Sequence, residues 1–227
     1  MFHEVLSPAM VGLLIEATKV TLMMVAASGL IGTALGLPLG VFLATSRSGE
    51  LFGAPVLNHG LGLLVNAARS TPFIILVVAI IPFTRLIAGT SIGTTAAIVP
   101  LTVAAIPFIA RLIEAAIREV DQGLVEAARA MGASPLQIVW KVLLPEALPA
   151  ITLALTLATV SLIGYSAMVG AVGGGGLGDL GIRFGYQRFM PGVMVAVVLV
   201  LIVLVQIVQS AGDALARRFD KRGRGGA

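Results

Sequence analysis

VTLMMVAASGLIGTALGLPLGVFLATS, Val20 to Ser46, contains no Asp, Glu, Lys, Arg or His. A helix needs about 20 mostly apolar residues to cross about 30 Å of hydrocarbon, so this run alone places the chain in a membrane. It belongs to a first apolar segment from Val11 to Ala44, where Gly36 and Pro38 predict a bend. Four further segments follow: Leu61 to Phe83, Ile92 to Ile113, Leu148 to Val172, and Val193 to Ala211. Arg69 and Pro72 fall in the second, Pro100 and Pro107 in the third. Backbone groups in lipid must be satisfied within the segment, which makes each span a helix. Short segments of alternating polarity, the mark of a membrane barrel, are not evident. The expected fold is all-α and polytopic. It comprises one transmembrane domain over 1–227, with a core of about 14–211 and a basic tail over 212–227.

Composition agrees. The 227 residues are 58% hydrophobic and 11% charged, against roughly a quarter charged in a soluble domain. The mean hydropathy is +1.04. The absence of cysteine excludes disulfides and thiolate metal sites. His3 and His59 are too far apart in sequence to suggest a shared metal. A pI near 10.1 would suit nucleic acid, but the basic residues cluster at span ends, where they set orientation instead. Arg217, Arg218, Lys221, Arg222 and Arg224 in the tail, Arg118, Arg129 and Lys141 between spans three and four, and Arg47 share one side if there are five spans. Lys19, Arg85, Arg183 and Arg188 take the other. The richer side is cytoplasmic, so the N-terminus faces out and the C-terminus in. His3 and Glu4 give no basic leader, so no cleaved signal peptide is expected. RRFDKRGRGGA at the end reads as a frayed tail that contacts lipid headgroups. No internal repeat is evident.

Arg118 to Ala147, between the third and fourth spans, is long for a mere connection. Asp121 can cap a helix over 122–131, with Val120 and Val125 as a hydrophobic staple. Leu124, Ala128 and Met131 share a face, with Val125 beside them. Gly132 stands where a left-handed residue ends a helix. A second start follows: Ser134 as cap, Pro135 at the first position, Gln137 completing a capping box. Pro145 is expected to stop that helix and Pro149 to mark the beginning of the fourth span. The pattern describes a stiff cytoplasmic helix–turn–helix. The small residues Ala127, Ala128, Ala130, Gly132 and Ala133 would let it lie in a groove on another protein. From the residues alone, it could equally fold back against its own spans.

The same stretch, EAARAMG followed after nine residues by VLLP, resembles the EAA signature of ABC importer permeases. Glu126, Ala127, Ala128, Gly132, Leu144 and Pro145 match it and Val142 replaces its isoleucine. ARSTPFIILVVAIIPFTRLIAGTSIG, AAIVPLTVAAIPFIAR and GYSAMVGAVGGGGLGDLGIRFGYQRF are similar to the permeases of methionine ABC importers. That resemblance implies a homodimer of five-span subunits and two ABC ATPase subunits that hold ATP and Mg. It also implies a periplasmic or lipoprotein substrate-binding protein and a location in the bacterial inner membrane. The insert around Glu126 to Gly132 would then be the coupling helix that docks on the ATPase. This chain needs no cofactor of its own in such a system and is a transporter subunit rather than an enzyme.

Other motifs carry less. Gly173, Gly175 and Gly178 form a G-x-G-x-x-G, but a dinucleotide loop needs a βαβ unit around it. A flexible outer loop, possible gate or receiving surface for a binding protein, is the expectation. No lysine follows a glycine, so no Walker A loop cradles ATP phosphates. Arg69 could attract a substrate carboxylate or snorkel to headgroups, the second being favoured. Arg111–Glu114 and Glu16–Lys19 are spaced as helical ion pairs, and Asp213 is expected to pair with a base. Met23, Met24, Met168 and Met194 read as packing rather than thioether contacts to substrate. Ser161, Tyr165 and Ser166 could hydrogen-bond an amino acid without a charge penalty, and 161 and 165 share a face. They are the candidate pathway residues. No nucleophilic triad, paired carboxylates or metal cluster stands out. Competing readings are a permease for another small amino acid or a methionine derivative, a stand-alone ion-driven transporter, and a membrane scaffold. The second would place ionisable groups at mid-membrane and show inverted repeats.

Overall fold

The computed structural model describes residues 7–47 and 49–220. Among these residues there is no strand. The apolar run that opens the chain forms α1, Pro8–Thr45, unbroken through Gly36 and Pro38. α2, Pro55–Ser70, and α3, Phe73–Ala79, follow, then α4, Ile81–Ala88, and α5, Thr94–Arg118. The insert supplies α6, Gln122–Ala130, and α7, Pro135–Ile138; the latter continues through a π-helical turn at Val139–Leu143 into α8, Leu144–Val169. A kink at Gly170–Gly174, where Val172 (φ −107°, ψ 22°) and Gly173 (φ +91°) leave the helical region, the short α9 at Gly176–Leu180, and a second π turn at Gly181–Tyr186 lead to α10, Pro191–Phe219.

Among the described residues, four helices are long and apolar enough to cross a membrane: α1, α5, the run Pro135–Gly174, and α10. The expected second span, Leu61 to Phe83, is not one helix. It is broken between α2 and α3. Pro72, at φ −56° and ψ 132°, has no N–H to continue a helix and disfavours a helical residue before it. Taken together, the bent pair makes up to five spans. α10 carries Arg217 and Arg218 in its last turn, so the helix extends well into the region read as a frayed tail. His3, Glu4, Lys221, Arg222 and Arg224 lie outside the described residues.

The chain divides into two compact units. One contains 7–32, 71–105 and 159–209. Met10, Leu177, Leu180, Val193 and Val197 are its buried centre. The glycine-rich stretch here is packed, not loose. A Cβ on Gly170 would lie 2.5 Å from the Asp179 nitrogen, and one on Gly178 would overlap the Ala167 carbonyl. The Leu177 N–H donates to Thr21 Oγ1 at 2.9 Å, and the Gly93 N–H to the Gly173 carbonyl at 2.9 Å. The expected flexible outer loop is therefore corrected. The glycines bring backbone against backbone, and those contacts hold the segment.

The other unit contains 33–47, 49–70, 106–158 and 210–220. Here Gly36 and Gly40 let α1 lie directly on α5. A Cβ at Gly36 would be 2.9 Å from the Ile106 carbonyl, and at Gly40 2.5 Å from that of Ala110. Their use is close contact between helices. The Asn58 amide donates to the Leu43 carbonyl and to Ser46 Oγ, both at 2.9 Å, tying α2 to the end of α1.

Candidate functional site

The insert forms as its caps dictate. Asp121 Oδ1 accepts from the Gly123 N–H at 2.7 Å. Gly132, at φ +79°, ends α6: its N–H donates to the Arg129 carbonyl at 2.9 Å and the Ala133 N–H to that of Ala128 at 3.1 Å. Those two bonds are the Schellman pattern, and they need a residue that tolerates positive φ. Ser134 and Gln137 complete the expected capping box at 2.9 and 3.4 Å.

The apolar face divides differently from its sequence pattern. Val125 and Ala128 are buried on their own unit, near Ile117 and Leu143. Burying the valine contributes on the order of 1.5–3 kcal/mol. Leu124 and Met131 stay exposed, Met131 at 81%. Leu136 and Trp140, the latter 69% exposed, extend the same apolar character along α7 and the π turn. Glu126, Ala127 and Arg129 are exposed between them. One side of the insert thus anchors on its own chain and the other presents a ledge of large apolar side chains. The fold-back reading holds for Val125 and Ala128, while the exposed side chains leave the other face open.

Pro145 does not end the second arm. The Leu144 N–H donates back five residues to the Val139 carbonyl, and the helix proceeds into α8. A proline ring clashes with the carbonyl four residues earlier in a regular α-helix. The wider π turn gives it room, and the bulge replaces the expected break. Ile138, Val139 and Leu143 are buried and fix this arm to its unit.

Below the insert lies a cluster that spacing revealed only in part. Glu114, 4% exposed, faces three arginines. Arg111, three residues before it, makes a close ion pair. Arg118, four residues after, lies at 3.0 Å, and Arg47 at 3.4 Å. Arg111 also donates to the Gly62 carbonyl at 3.1 Å and to Asn66 Oδ1 at 2.9 Å, and Arg118 to the Leu43 carbonyl at 3.2 Å. One carboxylate therefore joins the last turns of α5 to α1, α2 and the turn after α1, immediately before Asp121. The helical spacing of Arg111 and Glu114 was visible in sequence; Arg118 was read there only as an orienting charge, and Arg47, 67 positions away, gave no signal.

Tyr165 and Ser161 are both partly exposed on α8. The Tyr165 ring stacks on Phe73 with centroids 4.5 Å apart. Ser166 does not join them: it is 1% exposed and donates to the Ile163 carbonyl at 2.7 Å. That places it inside its unit, which corrects its assignment as a pathway residue. Met24 is fully buried while Met23 and Met168 are exposed. Arg69 is exposed in the last turn of α2, and Glu16 pairs with Lys19 at 2.7 Å. No group of three His, Asp or Glu able to hold a metal occurs among the described residues.

An all-helical membrane fold with a capped insert between two spans is the architecture of a transport permease. The family described as binding-protein-dependent transport system inner membrane component matches residues 36–221, and the chain belongs to that family. A probable D-methionine transport system permease protein of Vibrio cholerae is 60% identical over 210 residues, 92% of this chain and 93% of its own. The D-methionine transport system permease protein of Escherichia coli K12 is 53% identical over 165 residues, 73% of this chain and 76% of its own. The permease in an inward-facing structure of the MetNI methionine ABC transporter superimposes with a TM-score of 0.93 at 50% identity, covering 95% of this chain and all of the other. The chain is thus a multi-pass inner-membrane component of a binding-protein-dependent transporter.

Proposed function

We propose that the chain is the permease subunit of an ATP-driven importer for methionine, D or L. It works as a pair of identical subunits with two ATPase subunits inside and a substrate-binding protein outside. ATP and Mg sit on the ATPases. The N-terminus faces out, and the insert and tail face the cytoplasm. The relatives' names supply the substrate, and the ledge of Leu124, Met131, Leu136 and Trp140 supplies the coupling argument. Large apolar side chains grouped on a rigid, water-facing insert mark a surface that a partner covers.

In this reading Glu126 and Ala127 meet the ATPase, and Ala128 seats α6 on its own unit. Gly132 makes the turn, and Leu144 and Pro145 form the root of α8. Ser161 and Tyr165 line the substrate path. ATP binding shifts access only to the extent that the ATPase pair engages one arrangement of the two ledges better than the other. The test is a carboxylate on the ledge. Met131→Glu and Trp140→Glu, each expressed with the ATPase, should lose its co-purification and abolish methionine uptake while still reaching the membrane. Intact co-purification and uptake in both would overturn the docking assignment.

A further inference from the structure

Away from the ledge, a groove of about 480 Å³ opens between the turn after α1, α2 and α5. Arg47, Asn58, His59, Leu63, Asn66 and Arg111 line it, and no acidic side chain does. Glu114 balances only one of the three arginines it faces, so the cluster keeps an excess of positive charge. Arg111 is held in place by the Gly62 carbonyl and Asn66. Arg47 is looser, 52% exposed and only 3.4 Å from its carboxylate, and has N–H groups to spare. A fixed guanidinium, a movable one and an imidazole around one space match the oxygens of a tetrahedral phosphate. Leu57, Leu63 and Leu64 are exposed along α2 and provide an apolar rim suited to acyl chains.

We propose that this groove binds a phosphate group, and that its occupant is the headgroup of an anionic lipid. Basic pockets between membrane helices on the cytoplasmic side are a recurrent setting for such headgroups. The intact transporter in neutral detergent is titrated with phosphatidylglycerol, with phosphatidylcholine, and with inorganic phosphate, and bound molecules are counted by native mass spectrometry. Phosphatidylglycerol should be retained over phosphatidylcholine. Arg47→Gln should weaken it about tenfold, the loss expected for one charge-assisted hydrogen bond. Leu63→Glu, which puts a carboxylate among the groove's arginines, should weaken it similarly by repelling the phosphate and competing for the guanidiniums. Equal retention of the two lipids, or no response to either substitution, would overturn the site. Binding of inorganic phosphate without phosphatidylglycerol would overturn the lipid as occupant.

Discussion

Glu114 is the side chain on which three arginines of the second unit converge. Removing one partner of a buried ion pair costs about 3–5 kcal/mol, but the arginines here are partly solvated, so Glu114→Gln should cost nearer 2 kcal/mol. A lowered melting temperature of the detergent-purified protein, largely restored by Glu114→Asp, checks this. Gly132 makes a different demand. Nothing lies within 4 Å of a Cβ placed there, so Gly132→Ala meets only the backbone penalty, about 1–2 kcal/mol for an L-residue at positive φ. Gly132→Pro also removes the N–H bonded to Arg129 and cannot reach φ +79°. It should separate ATP hydrolysis from uptake in reconstituted vesicles while the protein still inserts. Tightly coupled hydrolysis in that variant would refute a coupling role for the turn.

Among the elements, caps were legible and packing was not. Asp121, Ser134 and Gln137 act within three residues of themselves, so sequence alone located them. The fate of Pro145 depended on a π turn that starts six residues earlier, and no local rule announces one. The glycine-rich segment misled for a similar reason: glycine permits both looseness and intimate backbone contact, and only the neighbouring chain decides. Gly178 and Gly164 separate the two uses. A Cβ at Gly178 collides with the Ala167 backbone, whereas Gly164 has open space around it. Gly178→Ala should sharply reduce the yield of folded protein. Gly164→Ala should be neutral or slightly stabilising, since alanine favours helix by up to about 1 kcal/mol. Similar yields and melting temperatures for the two would contradict the packed arrangement.

For the whole molecule, the membrane class followed from one uncharged run and the helix–turn–helix insert from its caps. The break inside the second apolar segment needed the effect of Pro72 to be weighed above hydropathy. The three-arginine cluster required knowing which distant segments meet. The orientation can be measured directly because the chain has no cysteine. A cysteine at exposed Thr90 should react with a membrane-impermeant maleimide in intact spheroplasts, and one at Met131 only after the membrane is opened. The reverse pattern would invert the proposed topology.

The bulge that admits Pro145 has a mechanical corollary. Since no gap severs the arm at 135–138 from α8, whatever presses on Trp140 meets no slack. A push there would be delivered as torque on the root of the span, as by a crank, instead of being lost in a loose tether.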